Sequence, residues 1–201
     1  LEASRTGGDT TICGDCPQKE QVVYKPSGWA TARGCYVNLM KGGPLAVYRG
    51  WLNGKHTELE PDQLAAFVYR KGLRLGSYGD PAAVPANVWK PLLVACEFHT
   101  SYTHQLDSEA VEYSMSSVET LDQALNAWEN GLRTFRTIAD VADVDSKHEI
   151  LCPASKESPT ADTMTCAQCR LCDGSKVATS IAVVVPGLGK GHAKKLVTIG
   201  Q

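Results

Sequence analysis

The residues of this sequence best suited to chemistry are its eight cysteines, and their spacing is uneven. They form an early set of three, a late set of four and one isolated residue: Cys13, Cys16 and Cys35; Cys152, Cys166, Cys169 and Cys172; and Cys96. An even number could indicate disulfides in an oxidising compartment. However, a chain of 201 residues is long enough to bury a core without cross-links. The grouping in CxxC units therefore predicts metal-binding thiols, with disulfides as the alternative.

The late set has the spacing of an iron–sulfur ligand motif. Cys152 is followed by Pro153, and a Cys-x2-Cys-x2-Cys run begins at Cys166. A run of this kind with a separate Cys-Pro is the ligand pattern of bacterial ferredoxins. Zinc sites with four thiolates also use CxxC units, but they commonly combine two separate pairs. The spacing therefore favours a [4Fe-4S] cluster on the late set, with zinc as the alternative.

The early set has only three thiols and no histidine close to it in the sequence. Three thiolates can hold a [4Fe-4S] cluster with one open iron, which is the arrangement needed to bind and cleave S-adenosylmethionine. They could equally bind zinc with a distant fourth ligand such as His56 or His104, or serve as a structural clip. Cys96 ends the apolar segment 92–96, and we expect it to be a small buried residue on a helix.

The elements that must position these cysteines follow from the hydrophobic pattern. Residues 1–43 are rich in loops, and helical patterns follow at 44–52 and 61–70. From Gly72 onward, predicted strands alternate with helices at 85–97 and 121–129; the strands are 73–78, 99–103, 111–118, 133–138, 148–151 and 180–185. This alternation is typical of parallel βαβ units, which form an open doubly wound sheet or an incomplete barrel.

We predict an α/β protein with a partial (β/α) barrel of about six parallel strands. A loop-rich N-terminal arm carries the early cysteines, and a late loop at 152–174 carries the metal-binding motif. Residues 1–71 form the arm and its helices, and residues 72–201 form the βα-repeat domain. We expect the two parts to pack as one compact unit.

Four polar residues follow the predicted strands, where ligands bind in both architectures. Asp80, His104, Glu119 and Arg136 are therefore the candidate catalytic or substrate-binding residues. Asp80 could instead start a turn before a proline, His104 could be a solvated loop residue, and Glu119 could stabilise a helix entry. Arg136 is the most indicative, because an arginine inside a parallel sheet needs an anionic partner.

The composition excludes several classes of protein. A net charge of −2 with 43% hydrophobic residues is unlike a disordered chain or a protein that mainly coats nucleic acid. No run of 18 apolar residues is present, so we expect no membrane partner. The residues Lys190, His192, Lys194 and Lys195 form a basic tail that could contact nucleic acid, although a solvated terminus is the simpler interpretation. Without a signal-like segment, we expect a cytoplasmic location.

Several short motifs taken together resemble a known group of proteins. They are CGDCP at 13–17, GCYVN at 34–38, RLGSYGDP at 74–81, YTHQ at 102–105, and the Cys152-Pro153 pair with the final cysteine triplet. This combination, covering residues 13–174, resembles an uncharacterised cysteine-rich family of bacteriophage and bacterial proteins and the phage gene-product-eighty-eight proteins. It is more distantly similar to radical-SAM-like barrels, in which a Ser-Val-Glu segment corresponds to Ser117, Val118 and Glu119.

The resemblance implies a phage-type iron–sulfur protein in a bacterial host cell, either a radical-SAM-like enzyme or a redox relay, whose substrate is unknown. The early cysteines depart from the CxxxCxxC motif of radical-SAM proteins because they span a wider stretch. A barrel-derived protein that keeps its metal sites without radical chemistry fits equally well. The alternative is a zinc-stabilised interaction protein that binds nucleic acid in phage replication.

Overall fold

The computed structural model describes residues 9–19, 21–25, 28–32, 35, 37, 43–174 and 179–185. The described α-helices are α1 (Thr10–Cys13), α2 (Gly43–Leu52), α3 (Pro61–Val68), α4 (Ala86–Ala95), α5 (Leu121–Glu129) and α6 (Cys166–Cys169). The described strands are β1 (Gln21–Lys25), β2 (Gly28–Ala32), β3 (Gly72–Arg74), β4 (Phe98–Thr100), β5 (Tyr102–Thr103), β6 (Met115–Val118), β7 (Thr134–Ile138), β8 (Glu149–Leu151) and β9 (Ser180–Val184). Short 3-10 helices lie at Pro81–Ala83, Glu109–Glu112 and Val141–Asp143.

Parallel strands dominate the described part of the chain. β3 pairs with β4, and a five-stranded parallel sheet has the order β5-β6-β7-β9-β8. Only Ser101 separates β4 from β5; its N–H donates to the Cys172 carbonyl oxygen at 3.0 Å, and its own carbonyl accepts from Met115 N at 2.9 Å. Each of the six predicted strands therefore has a counterpart. The prediction of an α/β protein with parallel sheets is confirmed, while β1 and β2 form a separate antiparallel pair.

The strand order differs from that of a barrel, and the partial barrel is not confirmed. Barrel strands are neighbours in chain order, but here β9 lies between β7 and β8. The apolar run of β9 is almost entirely buried, which suits a central strand covered on both faces. β8 has only three residues, with Ile150 exposed, and it takes the edge, where a short strand is tolerated.

The five-stranded sheet has a helix face and a cavity face, because side chains alternate along each strand. α5 covers the helix face with buried Ala124 and Ala127. Its Trp128 donates from Nε1 to the Thr134 and Ser180 hydroxyls at 3.0 and 2.9 Å. Thr120 and Gln123 close a capping box that starts this helix.

On the cavity face, the late cysteine segment packs where a helix would otherwise lie. Cys172 joins Met115 and Ile181 in one buried cluster, with Tyr102 and Phe135 packed against it. Cysteine is a small apolar residue in this environment. The late set is therefore built into the core of the sheet rather than carried on a free loop.

Residues 9–19, the N-terminal arm, dock at the turn that follows β3. The Asp80 N–H donates to the carbonyl oxygen of Ile12. Gly79 has φ of +100°, and a Cβ at this position would lie 2.7 Å from that oxygen. Glycine is thus required here both for the backbone conformation and for the close approach of the arm.

Two further expectations concern Cys96 and the membrane. Cys96 follows α4 and is half-buried rather than fully buried, with its Sγ 3.5 Å from the Leu93 carbonyl oxygen. Among the described residues, no helix has both the length and the apolarity needed to cross a membrane.

Candidate metal centre

A cavity of about 570 Å³ lies between the cavity face of the sheet, the late cysteine segment and the N-terminal arm. Its walls include seven of the eight cysteines, all except Cys96: Cys13, Cys16, Cys35, Cys152, Cys166, Cys169 and Cys172. The volume is within the range of ~300–1,000 Å³ typical of small-molecule sites. Both cysteine sets therefore face the same space, although more than a hundred residues separate them in the sequence.

The four thiols of the late set lie close enough to influence one another. Burial raises the pKa of Cys172 to about 11; a hydrogen bond from the Tyr102 hydroxyl opposes the rise, and the charges of the other three thiols add to it. Burial also raises the pKa of Cys152, with contributions from Cys166 and Cys169. The structure thus brings together the four residues that the Cys-Pro and Cys-x2-Cys-x2-Cys pattern predicts as ligands.

The segment that carries Cys172 is held by a buried arginine. Arg133 donates to the carbonyl oxygens of Leu171 at 2.6 Å and Thr179 at 2.7 Å, and to the Asp173 carboxylate at 3.2 Å. A guanidinium can satisfy several acceptors at once because its donors form a rigid fork. The backbone on both sides of Cys172 is therefore tied to the start of β7.

A second arginine shapes the turn between the last two cysteines of the motif. Arg170 has φ of +56°, a left-handed conformation that is uncommon for a residue with a side chain. Its guanidinium donates to Glu97 at 2.6 Å and lies 4.7 Å from the centre of the Phe98 ring. These contacts hold the chain in the reversal that directs Cys169 and Cys172 to the same cavity.

An aromatic wall separates the late set from solvent. The rings of Tyr102 and Phe135 are 4.4 Å apart, and the Arg74 guanidinium lies 5.3 Å from the centre of the Tyr102 ring. Burial raises the pKa of Tyr102, so its hydroxyl keeps its proton and can donate to the Cys172 sulfur. A low-dielectric wall with one donor aimed at a sulfur is a setting in which thiolate clusters are tuned.

The early set lies at the carboxyl ends of β5 and β6. The Cys35 N–H donates to the Gln18 carbonyl oxygen at 2.7 Å, which brings Cys35 back to the turn after Cys16. The Cys16 Sγ is 3.9 Å from Nε2 of His104, and that same Nε2 is 2.9 Å from a carboxylate oxygen of Glu119.

The charge of His104 is set by these neighbours. Burial alone would lower the pKa of His104, but its hydrogen bonds and charge interactions with Cys16 and Glu119 outweigh this and raise the pKa to about 10. The metal-free protein thus holds a protonated imidazole between a thiol and a carboxylate. A metal that took up these groups would displace protons from them.

Asp80 lines the cavity, but its carboxylate is occupied by backbone and side-chain donors. It accepts from Ala82 N at 3.0 Å, the Thr103 hydroxyl at 2.7 Å and His104 N at 2.8 Å. The residue therefore caps the 3-10 helix at Pro81–Ala83 and fixes the strand end that carries His104.

Arg136 is the one predicted site residue that the structure does not bring to the cavity. Its side chain lies on the helix face, fully buried, where Nε donates to the Glu149 carboxylate at 3.1 Å and the guanidinium forms an ion pair with it. A further N–H donates to the Asp143 carbonyl oxygen at 2.7 Å. The anionic partner that a buried arginine requires is therefore Glu149 from β8, not a substrate.

Sequence reasoning missed three residues that shape the site, namely Arg74, Tyr102 and Arg133. Tyr102 alternates with Thr103 in a predicted strand, so the period of two indicated that it faces the opposite side of the sheet from Thr103. Arg133 opens a strand and carries a charge into the core, as Arg136 does. Neither pattern identifies the cysteine segment as the contact.

The donor set fits a centre bound by soft ligands. Thiolates select iron–sulfur clusters and zinc, and imidazole binds iron and zinc, whereas carboxylates suit harder ions. Within the described ranges, no three His, Cys, Asp or Glu side chains are already grouped so as to hold a single metal ion. The chemistry of the groups at the cavity thus matches the metals that the sequence predicts, and binding would require their side chains to adjust.

The basic tail with Lys190, His192, Lys194 and Lys195 lies outside the described residues. Comparison with protein-family models, with curated proteins and with solved structures finds no match for this chain.

Proposed function

We propose that this chain is an iron–sulfur protein of the phage type whose two cysteine sets each bind a cluster at one shared cavity. It would act either as a radical-SAM-like enzyme or as a redox relay. The observation that carries the proposal is the convergence of seven cysteines on one cavity, while Cys96 lies elsewhere.

The late set supplies the four thiolates of a [4Fe-4S] cluster, which accepts and donates single electrons when bound. Cys172 holds its position through the packing of Met115 and Ile181. Arg133 fixes the backbone on either side, and Tyr102 donates to the sulfur. Burial against the sheet excludes water from this side of the centre.

The early set faces the remaining space of the cavity, where a substrate or an electron acceptor would bind. Asp80 holds the strand end in place, and His104 and Glu119 present a hydrogen-bonded polar pair beside Cys16. Arg74 adds a cation to the aromatic wall. These groups would orient an anionic or aromatic molecule between the two sets.

A zinc-stabilised interaction protein is the second candidate. The packing of Cys172 within the core supports it, because a structural metal contributes its binding energy to folding. In this case the basic tail would bind nucleic acid, and the affinity would fall steeply with salt.

The deciding experiment is metal and acid-labile sulfide analysis of anaerobically purified protein. We expect about four irons and four sulfides for each filled site, or about eight of each for both. Cys166→Ser should remove the share of the late set and Cys35→Ser that of the early set. Cys96→Ser is the matched control and should remove none.

Two outcomes would contradict the proposal. Zinc without sulfide would support the interaction protein, and a loss of iron in Cys96→Ser equal to that in Cys166→Ser would show that the iron is not bound by the two sets. Absence of metal from folded protein would favour disulfides instead.

A further inference from the structure

We propose that Nε2 of His104 is the fourth protein ligand of the iron–sulfur centre on the early set. The inference rests on the proposed function, and it identifies the non-cysteine ligand that the sequence leaves open. It also decides between the two modes of action, because a fourth protein ligand closes the cluster.

The distance between His104 and Cys16 is close to that of two ligands on one metal. A thiolate at ~2.3 Å and an imidazole nitrogen at ~2.0–2.1 Å in tetrahedral geometry have donor atoms about 3.6 Å apart. In the metal-free protein the Cys16 Sγ and His104 Nε2 atoms are 3.9 Å apart. Small side-chain rotations would therefore place both on the same metal, with Cys13 and Cys35 on the same cavity wall.

The backbone of His104 is already fixed for this role. Its N–H donates to Asp80 at 2.8 Å, and Asp80 also accepts from the Thr103 hydroxyl on the preceding residue. The arm that carries Cys13 and Cys16 docks on the same turn, through the hydrogen bond from Asp80 N–H to Ile12. One carboxylate and its backbone thus set the histidine and the two cysteines relative to one another.

Among the described histidines, only His104 lines the cavity. Nε2 of His56 lies 3.1 Å from the Val47 carbonyl oxygen at α2, and Nε2 of His99 lies 3.0 Å from the Tyr113 carbonyl oxygen. His148 pairs with Asp145 and stacks on Trp128.

Glu119 is the other candidate donor beside Cys16, and the chemistry favours the imidazole. Carboxylates prefer harder ions than the thiolate-bound metals expected here. In the metal-free protein Glu119 accepts the hydrogen bond from Nε2 of His104. When the metal binds, the Nε2 proton leaves to solvent and this hydrogen bond is replaced by the metal–nitrogen bond.

The consequence is that all four irons of the early cluster have protein ligands. No iron then remains open to bind S-adenosylmethionine. The early centre would pass electrons to or from the late centre, which favours the redox relay over the radical enzyme.

The test is pulsed electron paramagnetic resonance on the reduced, cluster-loaded full chain, made with natural and with 15N-labelled histidine. We expect a strongly coupled nitrogen that changes with the label and disappears in His104→Ala. His56→Ala is the matched control and should keep the signal. His104→Cys should load the same iron and sulfide as the parent chain but without the nitrogen signal.

The outcomes separate this inference from the proposed function. Protein without iron and sulfide fails both. Protein with both centres loaded, shown by the loss of half its iron in Cys35→Ser, but without a labelled nitrogen signal overturns only the ligand assignment. The same holds if the signal survives in His104→Cys, or if His104→Cys cannot load the early centre although a thiolate stands in the same place.

Discussion

The two charged side chains most deeply buried in the sheet, Arg136 and Glu149, are each other's partners. Removing two charges from water costs several kcal/mol for each, and only close geometry and added hydrogen bonds offset that cost. Here the guanidinium also donates to Asp143, and the carboxylate accepts from Asp145 N at 3.1 Å. The pair therefore joins β7 to β8 across the inserted strand β9.

We expect Arg136→Met to lower the free energy of unfolding by about 3–5 kcal/mol, because Glu149 is left as an unpaired buried charge. The double variant Arg136→Met with Glu149→Leu should lose markedly less. Urea titrations of the single and double variants measure both values, with Arg49→Met on exposed α2 as the control. A single variant as stable as the parent, with reduced substrate binding, would restore the substrate-binding role predicted from sequence.

At the scale of elements, the docking of the N-terminal arm depends on the turn at Gly79. The arm reaches the sheet only because no side chain intervenes between this turn and the Ile12 carbonyl oxygen. Gly131 also has a positive φ, of +71°, but nothing lies within 4 Å of a Cβ placed there. The two glycines therefore separate backbone strain from steric contact.

We expect Gly79→Ala to detach the arm, so that trypsin cleaves at Lys19 faster and the early set loses its metal. Gly131→Ala incurs a similar backbone penalty of about 1 kcal/mol and should leave cleavage at Lys19 unchanged. Rates of proteolysis and iron content of the two variants are the measurements. Equal effects of the two substitutions would show that the contact at Gly79 does not hold the arm.

A second element-scale prediction concerns the segment around Cys172. Arg133→Lys keeps the charge but cannot reach all of the acceptors that the fork reaches. We expect the late cluster to bind its iron about tenfold more weakly, as for other residues that position metal ligands. Iron release to a chelator is the measurement, and Arg170→Lys, at an exposed ion pair, should change it little. Equal release rates in the parent and in Arg133→Lys would contradict the role of Arg133.

The pattern of the sequence predicted the strands better than their neighbours. Residues 99–103 and 133–138 correspond closely to β4 with β5 and to β7, because alternation and apolar runs are local signals. The predicted strand at 111–118 shortens to Met115–Val118, since Glu109–Glu112 forms a 3-10 helix. Strand order depends on how the crossovers pack, which local pattern does not encode. The continuous apolar run of β9 indicated coverage on both faces, and this was the available signal for a central position.

The same limit applies to the site. The spacing of the late set predicted that its four cysteines act together, because those residues are close in sequence. The meeting of the early and late sets depends on the arm, the turn at Gly79 and the long crossover from β8 to β9. No sequence motif connects these segments. Arg136 was assigned to the cavity from its strand, but its position in the alternation, opposite to Phe135, places it on the other face.

At the scale of the whole molecule, the described apolar core is divided among several small clusters rather than one large one. The cluster that contains Cys172 closes one side of the central cavity. A chain with such a cavity in place of packed side chains has less apolar burial to stabilise it. The metal centres are therefore expected to contribute to folding as well as to chemistry.

Removing the metal should accordingly lower the stability of the whole chain. A ligand that binds only the folded state stabilises it by about 4 kcal/mol at a thousand times its Kd. We expect chelation under anaerobic conditions to reduce the urea midpoint of the parent chain and of Cys96→Ser alike. Chelation should have a smaller effect on Cys166→Ser, which has already lost one centre. A midpoint that chelation leaves unchanged would show that the metal sites are independent of folding.

The position of β9 between β7 and β8 also bears on the order of events during synthesis. The strand at the middle of the sheet leaves the ribosome after both of its neighbours and after all seven cavity cysteines. Until it arrives, β7 and β8 have no partner between them, and Cys172 lacks the Ile181 side chain against which it packs. The late thiols therefore stay accessible on the nascent chain until β9 is inserted. Cluster delivery has its best access to them in that interval, before the sheet closes over the metal.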